Sequence, residues 1–243
     1  MDLTAGRPPP VFDRLRRSAQ TEILDEPVDP KELAVILRDL ARFNGAMMGH
    51  RPVLRWLARA TCAMPVDRPL TLLDVGCGYG DLLRAIRRWA RKQRRPMRLV
   101  GIDLNPAAVD IARQATDVAD EIEYYAADVF AFAAPRIDLI VTSLVAHHLA
   151  DSAVVRFVQW MDERAQKGWM VYDLQRSIVP FYFIALAGAA MRLHAVVTYD
   201  GRVSVARSLT RREWCRCLAD AGIAADAVDL RWFMFRFCIG RLK

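Results

Sequence analysis

The sequence predicts an α/β protein built on a doubly wound, mostly parallel β-sheet. The first observation is an apolar run at residues 70–75, which leads into the glycine-rich segment DVGCGYG (residues 74–80) and then into a helical pattern from Asp81. The second is a series of further apolar, strand-like runs between residues 98 and 174, which alternate with amphipathic stretches. Such alternation is typical of a parallel sheet with helices on both faces.

Composition limits the range of functions. The 243 residues are 53% hydrophobic, enough for one large domain with additions. The formal net charge is +7 and comes mostly from arginine, with a cluster over residues 84–98 that is more typical of a solvated helix face than of a nucleic-acid site. The five cysteines match no zinc spacing, so we expect no metal and reduced thiols. The N-terminus has no apolar segment of the signal-peptide kind, and a cytoplasmic location is expected.

The N-terminal third precedes the first strand. Residues 1–30 are rich in Pro, Asp and Arg and are expected to wrap the surface or to be partly disordered. Two amphipathic helices follow, interrupted at residues 44–50. We therefore divide the chain into an N-terminal arm and helical cap at 1–65 and an α/β domain at 66–243, with a helical insertion at 176–209.

The other elements follow from apolar patterns and capping signals. The remaining parallel strands are expected at 98–103, 122–126, 137–143 and 169–174. Residues 177–191 read as a helix, residues 198–201 as a turn, and Thr210 with Glu213 as the capping box of a helix that ends near Gly222. Residues 227–232 and 235–242 are expected to form a terminal antiparallel pair.

The glycine segment predicts a strand, a tight turn and a helix, where backbone can approach a ligand closely. The dinucleotide fingerprint GxGxxG is not met, because its third glycine would fall at Asp81. An acid before three alternate glycines instead resembles the first motif of the Rossmann-like (class I) S-adenosylmethionine-dependent methyltransferases. This resemblance implies a seven-stranded sheet of order 3-2-1-4-5-7-6 and S-adenosyl-L-methionine as the cofactor.

Two further acids extend the resemblance. Asp103 ends the second strand, where a carboxylate accepts both ribose hydroxyls, although it could instead cap the next helix. In the family, an Asp in the place of Asp128 takes the adenine amino group, and the neighbour, here Val129, donates a backbone N–H. The residues expected to bind the cofactor are Asp74, Gly76, Cys77, Gly78, Gly80, Asp103, Leu104, Asp128, Val129 and Ser143.

Two histidines follow the fourth strand, at the sheet edge where ligands bind in open α/β folds. The segment from His147 to Asp151 resembles the His-Asp-Trp-Ser-Asp stretch of plant phenolic O-methyltransferases, whose first histidine is the general base. That resemblance implies His147 as the catalytic base beside His148. The alternative is an ordinary feature of this loop, present also in quinone C-methyltransferases, that helps to pack it.

The insertion suggests the class of acceptor. Its apolar run at 177–191 is shorter than the roughly 20 residues that span a bilayer. A helix that is apolar on nearly all sides must be buried, touch lipid or line an apolar pocket. Phe181, Tyr182 and His194 are therefore expected to bind an apolar, aromatic acceptor. A dimer interface on the same helix and peripheral membrane contact remain open, as does the choice between monomer and homodimer.

These expectations favour a methyltransferase that acts on a small molecule such as a phenol, quinone or polyketide product, with O-methylation preferred. A nucleic-acid or protein methyltransferase is the alternative. Base N-methylation commonly uses an Asn/Asp-Pro-Pro-Tyr/Phe motif after the fourth strand, whereas this chain has SLVA at residues 143–146, so no nucleic-acid partner is expected. A non-catalytic S-adenosylmethionine-binding protein is the third hypothesis.

Overall fold

The computed structural model describes residues 3–66, 68–132 and 136–243. Its single seven-stranded sheet has the order β3-β2-β1-β4-β5-β7-β6, which confirms the predicted fold class and strand order. Neighbouring strands are parallel from β3 to β5, and β7 runs antiparallel to both β5 and β6. The carboxyl ends of the five parallel strands therefore meet at one edge of the sheet.

The strands lie close to their predicted positions. They are β1 (Leu70–Val75), β2 (Met97–Asp103), β3 (Ile122–Ala126), β4 (Ile137–Ser143), β5 (Ala165–Leu174), β6 (Asp229–Phe233) and β7 (Arg236–Leu242). Alternate residues of a strand point to opposite faces. Leu73 accordingly packs in a core with Phe157 and Trp214 on one face, and Leu72 packs with Trp56 and Ile86 on the other. Burial on both faces explains why the central strands are apolar throughout.

Eight α-helices surround the sheet in the described part of the chain. They are α1 (Pro30–Ala46), α2 (Arg51–Thr61), α3 (Asp81–Lys92), α4 (Pro106–Gln114), α5 (Asp151–Arg164), α6 (Ile178–Met191), α7 (Ala195–Arg207) and α8 (Arg211–Asp220). Side chains cap several of them: Asp29 accepts hydrogen bonds at the start of α1, and Asn105 does so at the start of α4. The predicted capping box of Thr210 and Glu213 is present at α8.

Three boundaries were wrong in the sequence-based prediction. Helix α1 continues through Asn44 to Ala46, and β5 begins at Ala165 rather than at residue 169. Residues 198–201, predicted as a turn, lie inside α7. The glycine there serves packing rather than a turn, since a Cβ on Gly201 would lie 3.0 Å from Ile184 of α6.

Residues 3–29, called the N-terminal arm below, run across the carboxyl edge of the sheet. The carboxylate of Asp200 in α7 accepts the backbone N–H groups of Ile23 and Leu24 at 2.8 and 3.0 Å. Arg17 donates to the backbone oxygens of Arg207 and His147. These contacts attach the arm to α7 and to the loop after β4.

Helix α6 presents an apolar side to solvent. Ile178, Val179, Tyr182 and Leu186 on that side are 46–72% exposed, whereas Phe181 and Ile184 are buried. Among the described residues, every helix falls short of the length and apolar character needed to cross a membrane. All five cysteines have free thiols.

Candidate active site

The glycine segment forms a tight turn between β1 and α3. Gly76, Gly78 and Gly80 all have φ between +48° and +73°, a region that side chains disfavour. A Cβ on Gly76 would collide with Val145, and one on Gly80 would collide with the Tyr124 hydroxyl. At Gly78 a Cβ would meet nothing within 4 Å. The outer glycines thus permit close packing, while the middle one lies beside open space.

Asp103 is held at the end of β2 by backbone donors. Its Oδ2 accepts the N–H of Gly78 at 2.9 Å, and its Oδ1 accepts the N–H of Asn105 at 3.0 Å. The cap of α4 is formed by the Asn105 side chain, which accepts from Ala107 at 3.0 Å. Asp103 is therefore not the cap of that helix, and its remaining lone pairs can accept hydroxyl groups of a ligand.

Asp74, at the end of β1, is a buried carboxyl group with an unsatisfied oxygen. Its side chain is 2% exposed, and Oδ1 has no hydrogen-bond partner among the described residues. Burial, together with repulsion from Asp81 and Asp103, raises the pKa of Asp74 well above its usual value. His50 of the turn before α2 lies 2.8 Å from the carboxylate of Asp81. These carboxyl groups favour a cationic ligand beside the glycine turn.

The loops after β3 and β4 complete the same edge. Asp128 accepts the N–H of Phe130 at 2.9 Å, which orients its carboxylate beside Val129. Leu144 follows Ser143 with a φ of +62°. For a bulky residue this conformation is strained and is typical of functional sites.

His147 is fixed by a carboxylate that the sequence prediction missed. Its ring is 3% exposed, and Nδ1 lies 2.7 Å from Oδ1 of Asp173 at the end of β5. Burial disfavours an ionised Asp173, yet His147 holds the pKa of this carboxyl group below its usual value. Because a carboxylate only accepts, Nδ1 of His147 donates to Asp173, and in the neutral imidazole the lone pair is therefore on Nε2. The signal available in the sequence was an acid at a strand end, the same signal that identified Asp103.

The N-terminal arm adds a second carboxylate on the other side of the ring. Glu22 is 4% exposed, and its Oε1 lies 3.5 Å from Nε2 of His147. Its Oε2 lies 3.7 Å from Nε2 of His148, and Ser204 donates to Oε1 at 2.9 Å. Burial, reinforced by the negative charge of Asp200, raises the pKa of Glu22 to about 7. No motif in the sequence pointed to Glu22.

His148 is bound by a second acid from the arm. Its Nδ1 lies 2.9 Å from Asp25, which also forms an ion pair with Arg207 at 2.6 Å. Ligand atoms of Glu22, His147 and His148 all lie within 4.8 Å of one another, so these residues could hold a metal ion. The guanidinium of Arg207, 3.6 Å from Glu22, already supplies positive charge there. The expectation of no metal stays a prediction.

One cavity of about 820 Å³ joins these features. The glycine turn, Asp103 and Asp128 line it together with Glu22, His147 and His148. Its apolar walls come from α1, α6 and α7. They include Leu33, Ile36, Leu37, Leu40, Phe43, Ile184 and Val197. Apart from Gly80, every residue predicted to bind the cofactor or to catalyse lines this cavity.

Phe181, Tyr182 and His194, the residues predicted to bind the acceptor, do not line this cavity. Phe181 packs against Phe12 of the arm with ring centroids 5.3 Å apart. Tyr182 is 61% exposed on the outer side of α6. His194 caps α7 by accepting the N–H of Val196. Among the described residues, helix α6 contributes only Ile184 to the lining, whereas α7 and the arm contribute several residues each.

The match to a known family includes the glycine turn. Residues 72–168 match a family model described as a methyltransferase domain. The chain is 37% identical over 76 residues to 2-phytyl-1,4-naphtoquinone methyltransferase of Thermosynechococcus vestitus, which is 31% of this chain and 32% of that protein. It is 29% identical over 89 residues to a probable ribosomal RNA small subunit methyltransferase A of Methanosarcina mazei, which is 37% of this chain and 31% of that protein. The matches thus span about a third of these relatives.

The fold extends beyond that matched segment. The plantazolicin methyltransferase BpumL, solved with a monoazolic desmethylPZN analog and S-adenosylhomocysteine, superposes with a TM-score of 0.61. The alignment covers 88% of this chain and 97% of that one at 14% identity, which establishes the fold alone. Residues 72–168 therefore match a methyltransferase domain, and the described chain has the seven-stranded sheet of the class I, Rossmann-like methyltransferase fold.

Proposed function

We propose that this chain is an S-adenosylmethionine-dependent methyltransferase that methylates a hydroxyl group of an apolar, aromatic small molecule. One observation carries the proposal. The pair of His147 and Asp173 adjoins the same cavity as the glycine turn and the carboxylate of Asp103. A group able to accept a proton and a site able to hold a nucleoside thus adjoin one cavity.

The residues present fit the cofactor. Asp103 would accept hydrogen bonds from its ribose hydroxyls, and Asp128 would accept one from its adenine amino group. The backbone at Gly78 leaves room for the cofactor to approach closely. The unsatisfied oxygen of Asp74 and the nearby carboxylate of Asp81 would offset its positive charge. When bound, S-adenosylmethionine supplies an electrophilic methyl group on a sulfonium.

His147 would remove the proton of the acceptor hydroxyl. Asp173 keeps the proton on Nδ1, so that Nε2 is the acceptor atom. A proton taken up there is stabilised by the carboxylate of Asp173, 2.7 Å from Nδ1, and, once Glu22 is ionised, by the carboxylate 3.5 Å from Nε2. General base catalysis of this kind contributes about 10²–10⁴-fold.

The cavity walls support an apolar acceptor of limited size. Ligand pockets commonly enclose about 300–1,000 Å³, and here the cofactor and the acceptor would share about 820 Å³. Aliphatic and aromatic side chains of α1, α6 and α7 line the cavity together with the glycine turn. Such walls exclude water, and methyl transfer requires this exclusion.

The test is methyl transfer from S-adenosylmethionine to a panel of phenols and hydroquinones, with products detected by their added mass. We expect turnover with at least one phenol and a loss of about 10²-fold or more in His147→Ala, with unchanged affinity for S-adenosylhomocysteine. Asp173→Asn should lose turnover for a related reason, since an amide does not hold the same imidazole tautomer.

His194→Asn is the matched control. It changes a histidine outside the cavity and retains a side chain that can cap α7. Equal losses in His147→Ala and His194→Asn would reject the base assignment. Binding of S-adenosylhomocysteine without turnover on any acceptor would favour the non-catalytic hypothesis, and an absence of binding would reject the proposal.

Methylation of RNA is the second candidate, because one relative is a probable ribosomal RNA methyltransferase. That match covers 37% of this chain. The cavity here is lined by apolar side chains of α1 and α7 and by the arm, and such a lining suits an apolar small molecule better than a polynucleotide. Methylation of total RNA, in the absence of turnover on the phenol panel, would reverse this preference.

A further inference from the structure

Arg236, the first residue of β7, is a buried cation beside the cavity. Its side chain is 4% exposed, and it lines the cavity together with Asn44, Gly49 and His50. Its Nη2 donates to Oδ1 of Asn44 at 2.7 Å, and its guanidinium carbon lies 5.1 Å from the centre of the Tyr172 ring. No sequence motif marked this arginine.

The guanidinium of Arg236 lacks the carboxylate partner that a buried arginine normally has. Arg176 is equally buried and forms an ion pair with Glu213 at 2.5 Å. Within the described residues, Arg236 has no carboxylate within ion-pair distance, and the side-chain acceptors beside it, the amide of Asn44 and the hydroxyl of Tyr172, are both neutral. A buried charge is costly unless an opposite charge compensates it. A guanidinium also offers five donors in a planar fork, of which Asn44 uses one.

We propose that Arg236 binds the carboxylate of a ligand in this cavity. A guanidinium matches a carboxylate through two parallel hydrogen bonds and keeps its charge at every accessible pH. The inference rests on the proposed function. The carboxylate could belong to either of two ligands. One is the amino-acid end of S-adenosylmethionine, and the other is an acidic group on the acceptor.

The other charges of the cavity favour the amino-acid source. An α-amino acid carries an ammonium as well as a carboxylate, and the cavity offers an unsatisfied oxygen on Asp74 as well as the guanidinium of Arg236. Both groups are at least nine-tenths buried. The buried charge of Arg236 requires an anionic ligand group, and an ammonium beside Asp74 would lower the raised pKa of that carboxyl group and let it ionise.

The test compares two nucleosides by calorimetry. S-adenosylhomocysteine has the amino-acid end, whereas 5′-methylthioadenosine keeps the adenosine and the sulfur but has no carboxylate. We expect Arg236→Met to bind S-adenosylhomocysteine about 10- to 100-fold more weakly and to bind 5′-methylthioadenosine as the wild type does. Arg236→Lys should recover part of the loss, because it restores the charge but not the fork.

Salicylate, titrated in the presence of S-adenosylhomocysteine, tests the acceptor source. Loss of salicylate binding in Arg236→Met with intact S-adenosylhomocysteine affinity would assign the carboxylate to the acceptor. Arg42→Met, which removes an exposed arginine of α1, is the control and should change neither affinity.

The inference is overturned if Arg236→Met binds both S-adenosylhomocysteine and salicylate within twofold of the wild type. Equal weakening of 5′-methylthioadenosine would also overturn it, because that ligand has no carboxylate to lose. A wild-type protein that binds neither nucleoside would instead reject the proposed function. The two failures are thus distinguishable.

Discussion

At the scale of single residues, two glycines with nearly the same φ allow the cost of backbone strain to be distinguished from the cost of a steric clash. Gly80 has a φ of +73° and Gly222 a φ of +76°. An alanine at Gly222 would meet nothing within 4 Å, so we expect Gly222→Ala to cost about 1–2 kcal/mol from strain alone. Gly80→Ala should cost at least about 1 kcal/mol more, because Tyr124 must move away from its hydrogen bond with Thr116. Urea unfolding of both variants measures the difference, and equal losses would contradict the collision.

Glu22 gives the site a pH-dependent effect on stability. Its pKa rises from 4.5 to about 7 on folding, so between these values the folded state holds a proton that the unfolded state has released. Stability contributed by this group is therefore present below about pH 4.5 and is lost as the pH rises to about 7. The loss is about 3 kcal/mol at 1.36 kcal/mol per pKa unit.

We expect Glu22→Gln to match the wild type in stability at pH 5 and to exceed it at pH 8, because glutamine does not ionise. Its amide oxygen can still accept from Ser204. Denaturant unfolding at the two pH values provides the measurement, with Glu26→Gln as a control for an exposed glutamate of the same arm. A stability difference that is the same at both pH values would contradict the raised pKa.

The sequence revealed the site residues unevenly. Asp103 was predictable because a strand end and a glycine turn fix its place, and Asp173 carried the same strand-end signal. Glu22 and Arg236 were not predictable, because each reaches the cavity through contacts with residues distant in the chain, Ser204 and Asn44. Periodicity and motif spacing describe local structure, and such contacts leave no local trace.

At the scale of elements, the arm and α7 depend on each other. Asp200 accepts the N–H groups of Ile23 and Leu24 and is the clearest link between the two elements. Asp200→Ala leaves both donors without this acceptor, and we expect it to destabilise the arm by about 1–3 kcal/mol. Trypsin should then cleave faster at Arg14, Arg16 or Arg17. Asp226→Ala, an exposed aspartate outside this contact, should leave the cleavage rate unchanged.

Helix α7 also explains a failure of sequence-based prediction. The pair Asp200-Gly201 is a common turn signal. Here the carboxylate of Asp200 binds the arm instead of its own backbone, and the missing side chain of Gly201 permits close approach to α6. Tertiary packing thus overrides the local preference. The sequence predicted the apolar helix α6 correctly, but it did not distinguish the side that faces solvent from the side that packs.

At the scale of the whole molecule, the proposed cofactor should stabilise the fold. A ligand at 100 times its Kd adds about 2.7 kcal/mol, which for a chain of this length corresponds to about 5–10 °C in Tm. We expect S-adenosylhomocysteine to produce this shift in the wild type and a much smaller shift in Asp103→Ala at the same concentration. Scanning fluorimetry measures both shifts, and equal shifts would reject the ribose role of Asp103.

The strand order was predictable at this scale for a different reason from the site. Five apolar runs separated by helices define a parallel sheet, and the resemblance at residues 74–80 supplies the order of all seven strands. The cover of the cavity was not predictable to the same degree. It is assembled from the arm, α1 and α7, whose amphipathic patterns show which residues are buried but not which neighbour buries them.

The contacts that close the cavity have a consequence for the order of folding. Ser204 and Glu22 are 182 residues apart in the chain, and Arg236 and Asn44 are 192 apart. Contacts over such separations form late, because the entropy cost of closing long loops must first be offset by local structure. The last strand, β7, also inserts between β5 and β6. While β7 is still inside the ribosome, the cavity of a chain under synthesis is incomplete. Neither the methyl donor nor the methyl acceptor can therefore bind there and assist folding.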